Sequence, residues 1–534
     1  MPGAQRQPLT RAQQALWDLQ GALPDGSVNV AYYLDLVGPL DAGLLDDVGH
    51  AFVARIPTLF LRFDTPGESV ASVYDPTLTD AKIDLDLRGE PDPIAAAQNW
   101  MAVDAATPID PAHDRTALFA VLRIADDRHL IYMRGHHLVA DGAAALRLLA
   151  EWGQCYTDAV EGRTPDYPPA ENFGPALRAD ADYLTSTRRE RDRAFWLDTL
   201  AGAPPPPTLS RRAGAMSTRT HHLTDVVAPG TSELLRQVQA AHTTTMPAVV
   251  GTALAIYLAR MTGHHDIQFA LPVAARTVAA LRHTRLPVSN VVPIRTHMTR
   301  TATVRDALHA TQSAMLGALR HQRYRYEDIR RDLAAAGTPV PTTPGVTGAV
   351  LNLMLAEPTI RFGDAVGGVQ IVSAGPVDDL AFTVYPRVAA DGSVATQIDL
   401  DANPHRYSLA EARDHHARFL RLLDTVCREL LDAPDTLVAD VPLLTDTEHT
   451  TLASVSGPTW APEPAPAIDT SPHPGDDARL GETIAIEIPR GAELSRAIRA
   501  GRGRDGTPDR IWNRPLGGPA RRTGLHRVHL RHHG

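Results

Sequence analysis

A chain of 534 residues, 43% hydrophobic and 21% charged, is long enough for two compact lobes and has a globular balance, which excludes fibrous and wholly disordered classes. Its formal net charge of -10 supplies no basic platform, so nucleic acid is excluded as a partner. Two cysteines, Cys155 and Cys427, cannot frame a disulfide scaffold, no run reaches the roughly 18 apolar residues of a membrane span, and no apolar segment follows Met1, so the expected location is the cytoplasm, off any membrane.

Thr10 can cap a short amphipathic helix running to Leu19, with Leu16, Trp17 and Leu19 on its apolar side. An extended stretch from Val28 to Val37, a helix from Asp41 to Ala54 and a strand from Thr58 to Phe63 follow. His129 to Arg134 reads as a strand, and Ala143 to Trp152 as a helix with Leu146, Leu149 and Ala150 on one side. Pro-rich stretches at Tyr167-Pro168-Pro169 and Pro204 to Pro207 bracket a charged helix from Ser186 to Leu200, which places a lobe boundary near residue 175.

The second half repeats the class. Helices are expected at Thr231 to Ala241, Met246 to Met261, Val304 to Leu319 and Leu409 to Leu430, with strands at Asp266 to Pro272, Gly348 to Met354 and Thr396 to Leu400. The expected chain is α/β in the α+β sense, with lobes over 1–175 and 176–445 and a linker and tail over 446–534. From Pro458 the tail is Pro-rich, then Arg- and His-rich, as in a disordered segment or a frameshifted remnant, and its His532-His533 pair reads as composition rather than a metal site.

Chemistry concentrates at His136-His137-Leu138-Val139-Ala140-Asp141-Gly142, on a strand-to-helix turn that can hold a side chain rigidly with its tip in a cleft. A neutral imidazole on His137 could take a proton from a nucleophile or align it, Asp141 could lock the turn, and the Gly142 amide could meet a developing oxyanion. The bland alternative for a His pair is satisfied packing. Zinc is the weaker rival, because no third ligand stands at helical spacing. His264-His265-Asp266 lacks comparable spacing and reads as a loop into a core strand.

HHxxxDG resembles the signature of nonribosomal peptide synthetase condensation domains, in the chloramphenicol acetyltransferase-like superfamily. Other segments agree in order: Thr10 to Trp17 with the opening motif, Arg55 to Phe63 with the second, Asp192 to Trp196 with the interlobe helix, Leu286 to Arg295 with the fifth motif and His321 to Asp328 with the sixth. Gly375 to Leu380, Ala402-Asn403-Pro404 and Tyr407 resemble the closing region, so the likeness covers about residues 8 to 445.

The resemblance implies two lobes in a V, with a tunnel at their interface and the motif at its midpoint. Second-lobe segments would cross to the first near Ala275 to Asn290 and Pro376 to Arg387. It implies amide formation between donor and acceptor substrates held on phosphopantetheine arms of peptidyl carrier proteins, and because the sequence holds no Gly-rich adenylation loop and no carrier-like LGGxS serine, those carriers would act in trans. An adenylation domain would stand in a neighbouring protein, and this chain would be a monomer binding no cofactor or metal of its own. His137 and Gly142 would be catalytic and His136 and Asp141 structural, with Ser289, Asn290 and Trp196 along the tunnel.

One position departs from the family. Where its second motif has the arginine that pairs with the motif aspartate, this chain has Phe60, leaving Arg62, or less favourably Arg55, to substitute. Pro272 to Thr277 and Ser289 to Pro293 look most like the condensation domains that open an assembly line, which implies an aryl or fatty acyl donor. The competing readings are a stand-alone acyltransferase using coenzyme A or forming an ester, against whose plant-type branch the missing DFGWG run speaks, and a noncatalytic remnant that only docks carriers.

Overall fold

The period of two in Asn29–Val37 decides where the first core lies. Val30, Tyr32, Leu34 and Leu36 face one side and pack on Leu45, Val48 and Phe52 of helix Ala42–Val53 and Leu148, Leu149 and Trp152 of helix Gly142–Val160. Ala31 faces the other side, with Ala97, Met101 and Ala105 of helix Pro93–Ala105. The computed structural model describes residues 6–450 except 24–26, 66–69, 76, 79–81, 342–344, 355–358, 389–393 and 446, so the tail and its histidine pair lie outside the described residues.

Six strands form the first sheet, in the order Ile360–Phe362, Ala365–Ser373, Asn29–Val37, Arg128–His136, Ala117–Ala125, Lys82–Asp86. Only the last pair is parallel. A second six-stranded sheet runs Asn290–His297, Asp266–Val273, Val350–Leu353, Leu380–Val388, Val394–Ala402, His221–Val226. Helix Met246–Thr262 beside it is buried continuously from Ala248 to Ala259, and Leu409–Asp432 adds an apolar face through Phe419, Leu422 and Val426. A small three-stranded sheet joins Gln7–Pro8, Ala71–Tyr74 and Leu61–Asp64.

Residues Met1–Val441 form one compact unit, and the described residues after it contribute one helical turn at 447–450. No single helix among the described residues is long and apolar enough to cross a membrane.

Two expectations need correction. Thr58 to Phe60 belong to a 3-10 turn, Pro57–Phe60, because Pro57 presets the first helical position; the strand is Leu61–Asp64. Leu380–Val388 does not cross over, since it pairs within the second sheet. The hairpin Ile360–Ser373 crosses instead and extends the first sheet along Asn29–Val37. Its fit depends on bare backbone: a Cβ on Gly367 would stand 2.1 Å from the Asp35 carbonyl oxygen, and one on Gly153 would stand 2.3 Å from that of Arg361. Trp152 anchors the hairpin with its ring edge-on to Phe362 at 5.5 Å.

Candidate active site

Strand Arg128–His136 delivers the His pair, and Asp141 ends the turn as the N-cap of helix Gly142–Val160, accepting the Ala144 amide hydrogen at 3.0 Å. Between them Leu138 and Val139 are fully buried against Leu61, Phe63, Leu286 and Val288. The opening helix Arg11–Ala22 clamps the turn: Gln13 Nε2 donates to the Leu138 carbonyl at 2.9 Å, and Thr10 Oγ1 donates to the Pro287 carbonyl at 3.1 Å.

His136 is an internal strut. It is wholly buried, its Nδ1 accepts the Leu138 amide hydrogen at 3.2 Å, and burial, then the neighbouring His137, pushes its pKa down to about 3. His137 is held through its backbone, whose amide donates to Val28 at 2.8 Å. Its ring lines a cavity, its Nδ1 is buried without a partner, and burial lowers its pKa against the opposing pull of Asp141, so the ring is neutral near pH 7.

Asp141 gathers five hydrogen bonds. Besides Ala144 they come from the Arg276 guanidinium, bidentate at 2.8 and 2.9 Å, and from the amides of Val288 at 3.0 Å and Ser289 at 3.1 Å. Burial opposes the charge, but Arg276 and these amides outweigh it and hold the carboxyl below its ordinary range. The aspartate thus keeps a cationic partner that comes from the opposite half of the chain.

Arg62 is not that partner. Leu61 and Phe63 face the motif turn, so strand alternation turns Arg62 away, onto Asp75 at 2.6 Å and the carbonyl of His113. Arg55 lies over the Tyr167 ring at 4.6 Å, and Phe60 packs against Tyr74. Trp196 is also corrected: it is 1% exposed, donates Nε1 to the His321 carbonyl at 3.1 Å, and lies outside the cavity wall. Ser289 and Asn290 do line the cavity. The Asn290 side chain is spent on backbone, donating to the carbonyls of Gln322 and Tyr324 at 2.8 Å each and accepting from the Tyr326 amide at 3.2 Å.

The cavity measures about 1430 Å³ and is walled by both halves, with Leu16, Tyr32, Gly142 and Leu146 facing Arg325 and Met354. Single small-ligand pockets hold about 300–1,000 Å³. A Cβ on Gly142 would stand 3.2 Å from the Tyr32 hydroxyl, so glycine keeps that approach open. Sequence reasoning missed Arg276, Gln13 and Tyr32 as parts of the site. Arg276 was within reach, because it lies in the Pro272 to Thr277 segment already noted for its resemblance.

A condensation-domain family model matches residues 4–453. The dimodular nonribosomal peptide synthase of Bacillus subtilis (strain 168) is 30% identical over 418 residues, which cover 78% of this chain and 17% of that protein. The isonitrile lipopeptide synthase of Streptomyces coeruleorubidus is 33% identical over 448 residues, 82% of this chain and 29% of that protein. The chain therefore spans less than a third of the length of either relative. Among solved structures, the first condensation domain of the CDA synthetase is 28% identical with a TM-score of 0.75, covering 83% of this chain and 99% of that one. A mutant starter condensation domain of rhizomide synthetase, solved in complex with C8-CoA, is 27% identical with a TM-score of 0.72, covering 82% and 98%.

Proposed function

Because the chain belongs to the condensation-domain family of nonribosomal peptide synthetases, whose members are amide-forming acyltransferases, we propose that it joins a carrier-bound acyl thioester to the amine of a carrier-bound aminoacyl group. The amine nitrogen attacks the thioester carbon, the C–S bond breaks as the C–N bond forms, and the nitrogen's proton ends on the departing thiol. Phosphopantetheine arms of donor and acceptor carrier proteins supply both substrates to a monomer in the cytoplasm. The domain itself needs no cofactor.

The observation that carries this reading is a neutral His137 on the wall of a cavity too large for one small ligand. Enclosing both arms makes aminolysis nearly intramolecular, and effective molarity then accounts for much of the rate. His137 meets the amine and takes up or aligns its proton, while the Gly142 amide, among the helix's first donors without an intrahelical acceptor, faces the carbonyl oxygen as charge develops. Asp141 and His136 hold the turn. Of the two donors expected, aryl and fatty, the likeness to a starter condensation domain bound to C8-CoA and to a lipopeptide synthase supports the fatty acyl donor.

The test loads donor carriers with octanoyl or aryl groups and acceptor carriers with amino acids, adds the protein, and measures amide product by mass spectrometry. His137→Ala should lower product formation about 100-fold or more. Unchanged product would remove His137 from the mechanism, and no product with any carrier pair would overturn amide formation.

A further inference from the structure

Two non-glycine residues among the described ones take a positive φ, Thr243 at 48° and Ala275 at 51°. Thr243 is a helix C-cap, a common left-handed ending. Ala275 ends no helix. It is buried in the loop after strand Asp266–Val273, directly before Arg276. An L-residue in this conformation crowds its own backbone, so surrounding contacts must hold it there.

The contact that does so is Gln322. Its Oε1 accepts the Ala275 amide hydrogen at 3.0 Å, and its Nε2 donates to the Leu319 carbonyl at 2.8 Å, fixing the amide plane. The Gln322 carbonyl in turn accepts from Asn290 Nδ2 at 2.8 Å. The reversal at Ala275 brings Arg276 back past the carbonyls of Ala274 at 3.2 Å and Leu286 at 3.4 Å and onto both oxygens of Asp141. Gln322 is absent from the cavity wall, whereas Ala274 and Ser289, on either side of the Arg276–Asp141 pair, are part of it.

We infer that Gln322 is a positioning residue for amide formation: it pins the left-handed turn at Ala275 and so sets Arg276 on Asp141 behind His137. The activity arm of its test rests on the amide-forming reading. A residue that acts through geometry alone changes the rate of the bound complex and leaves substrate binding alone, and displacements of about an ångström are enough for large losses.

Gln322→Ala is expected to lower kcat about tenfold with KM within about twofold, in protein whose melting temperature stays near wild type. Adding Ala275→Gly to that variant should restore most of the loss, because glycine adopts positive φ without the clamp. In parallel, hydrogen exchange across residues 272–290 should quicken in Gln322→Ala and slow again in the double variant. An unchanged kcat in Gln322→Ala, or a double variant no better than the single one, overturns the proposal. If the wild type gives no product with any carrier pair, amide formation fails as a separate matter and exchange alone decides: identical exchange in wild type and Gln322→Ala overturns the positioning role.

Discussion

At the residue scale the site depends on one carboxylate. Arg276→Ala would leave Asp141 buried with three amide donors and no countercharge, a loss on the order of 3–5 kcal/mol. Urea unfolding should report it as a lowered midpoint, with part recovered when Asp141→Asn is added. Arg62→Ala loses a part-exposed pair with Asp75 and a hydrogen bond to the His113 carbonyl, neither at the motif turn, and should cost about 1 kcal/mol. Titration adds a second prediction. His136 has a folded pKa near 3, below its unfolded value near 6.5, so the unfolded chain takes up the proton first as pH falls. Its contribution is whole above pH 6.5 and declines below it, by about 3 kcal/mol at pH 4. Unfolding free energies of wild type and His136→Asn across pH 4 to 7.5 should therefore differ in slope, and a parallel pair of curves would refute the assignment. His137 is depressed for the same physical reason, so the acid limb of kcat should lie below pH 6.5.

At the element scale, what was legible from sequence is what neighbouring residues decide. The motif turn could be placed because a β-patterned run to Arg134 precedes it and an amphipathic stripe from Ala143 follows it, whereas the strand's continuation to His136 and the Asp141 cap came from the structure. The Arg276–Asp141 pair spans 135 positions and has no local signature. Strand Ala365–Ser373 was missed because its Gly367-Gly368 pair looks like a loop until the Asp35 carbonyl approaches from a distant strand. Trp196 was assigned to the tunnel by family likeness, but its helix Thr187–Thr199 directs it inward to the His321 carbonyl. The same close approach makes Gly153→Ala a sharp test of the hairpin's seat. A methyl group meeting the Arg361 carbonyl must displace the hairpin from helix Gly142–Val160, at a cost of about 1–3 kcal/mol by denaturant unfolding, and it shifts the part of the cavity wall that Ile360 and Arg361 form.

At the scale of the whole molecule, the two sheets share one chain in an order that resists division. A fragment of residues 1–175 would contain both helices of the first core and four strands of its sheet, but strand Asn29–Val37 would lack the Ala365–Ser373 partner on one edge. That exposed edge, a row of backbone N–H and C=O groups that lose their partners on Ala365–Ser373, is a template for pairing between copies. The fragment is expected to aggregate or to bind a hydrophobic dye, whereas residues 1–450 stay monomeric by light scattering; a soluble, cooperatively unfolding fragment would refute the dependence. The crossover hairpin also bears on how the protein comes into being. Val37 finds its opposite number, Val366, roughly 330 positions later, so at about 5–20 residues per second a ribosome works for between about 15 and 65 seconds before that pairing can start. Throughout that interval the nascent chain carries an open strand edge, and its yield in the cell depends on what shields that edge during translation.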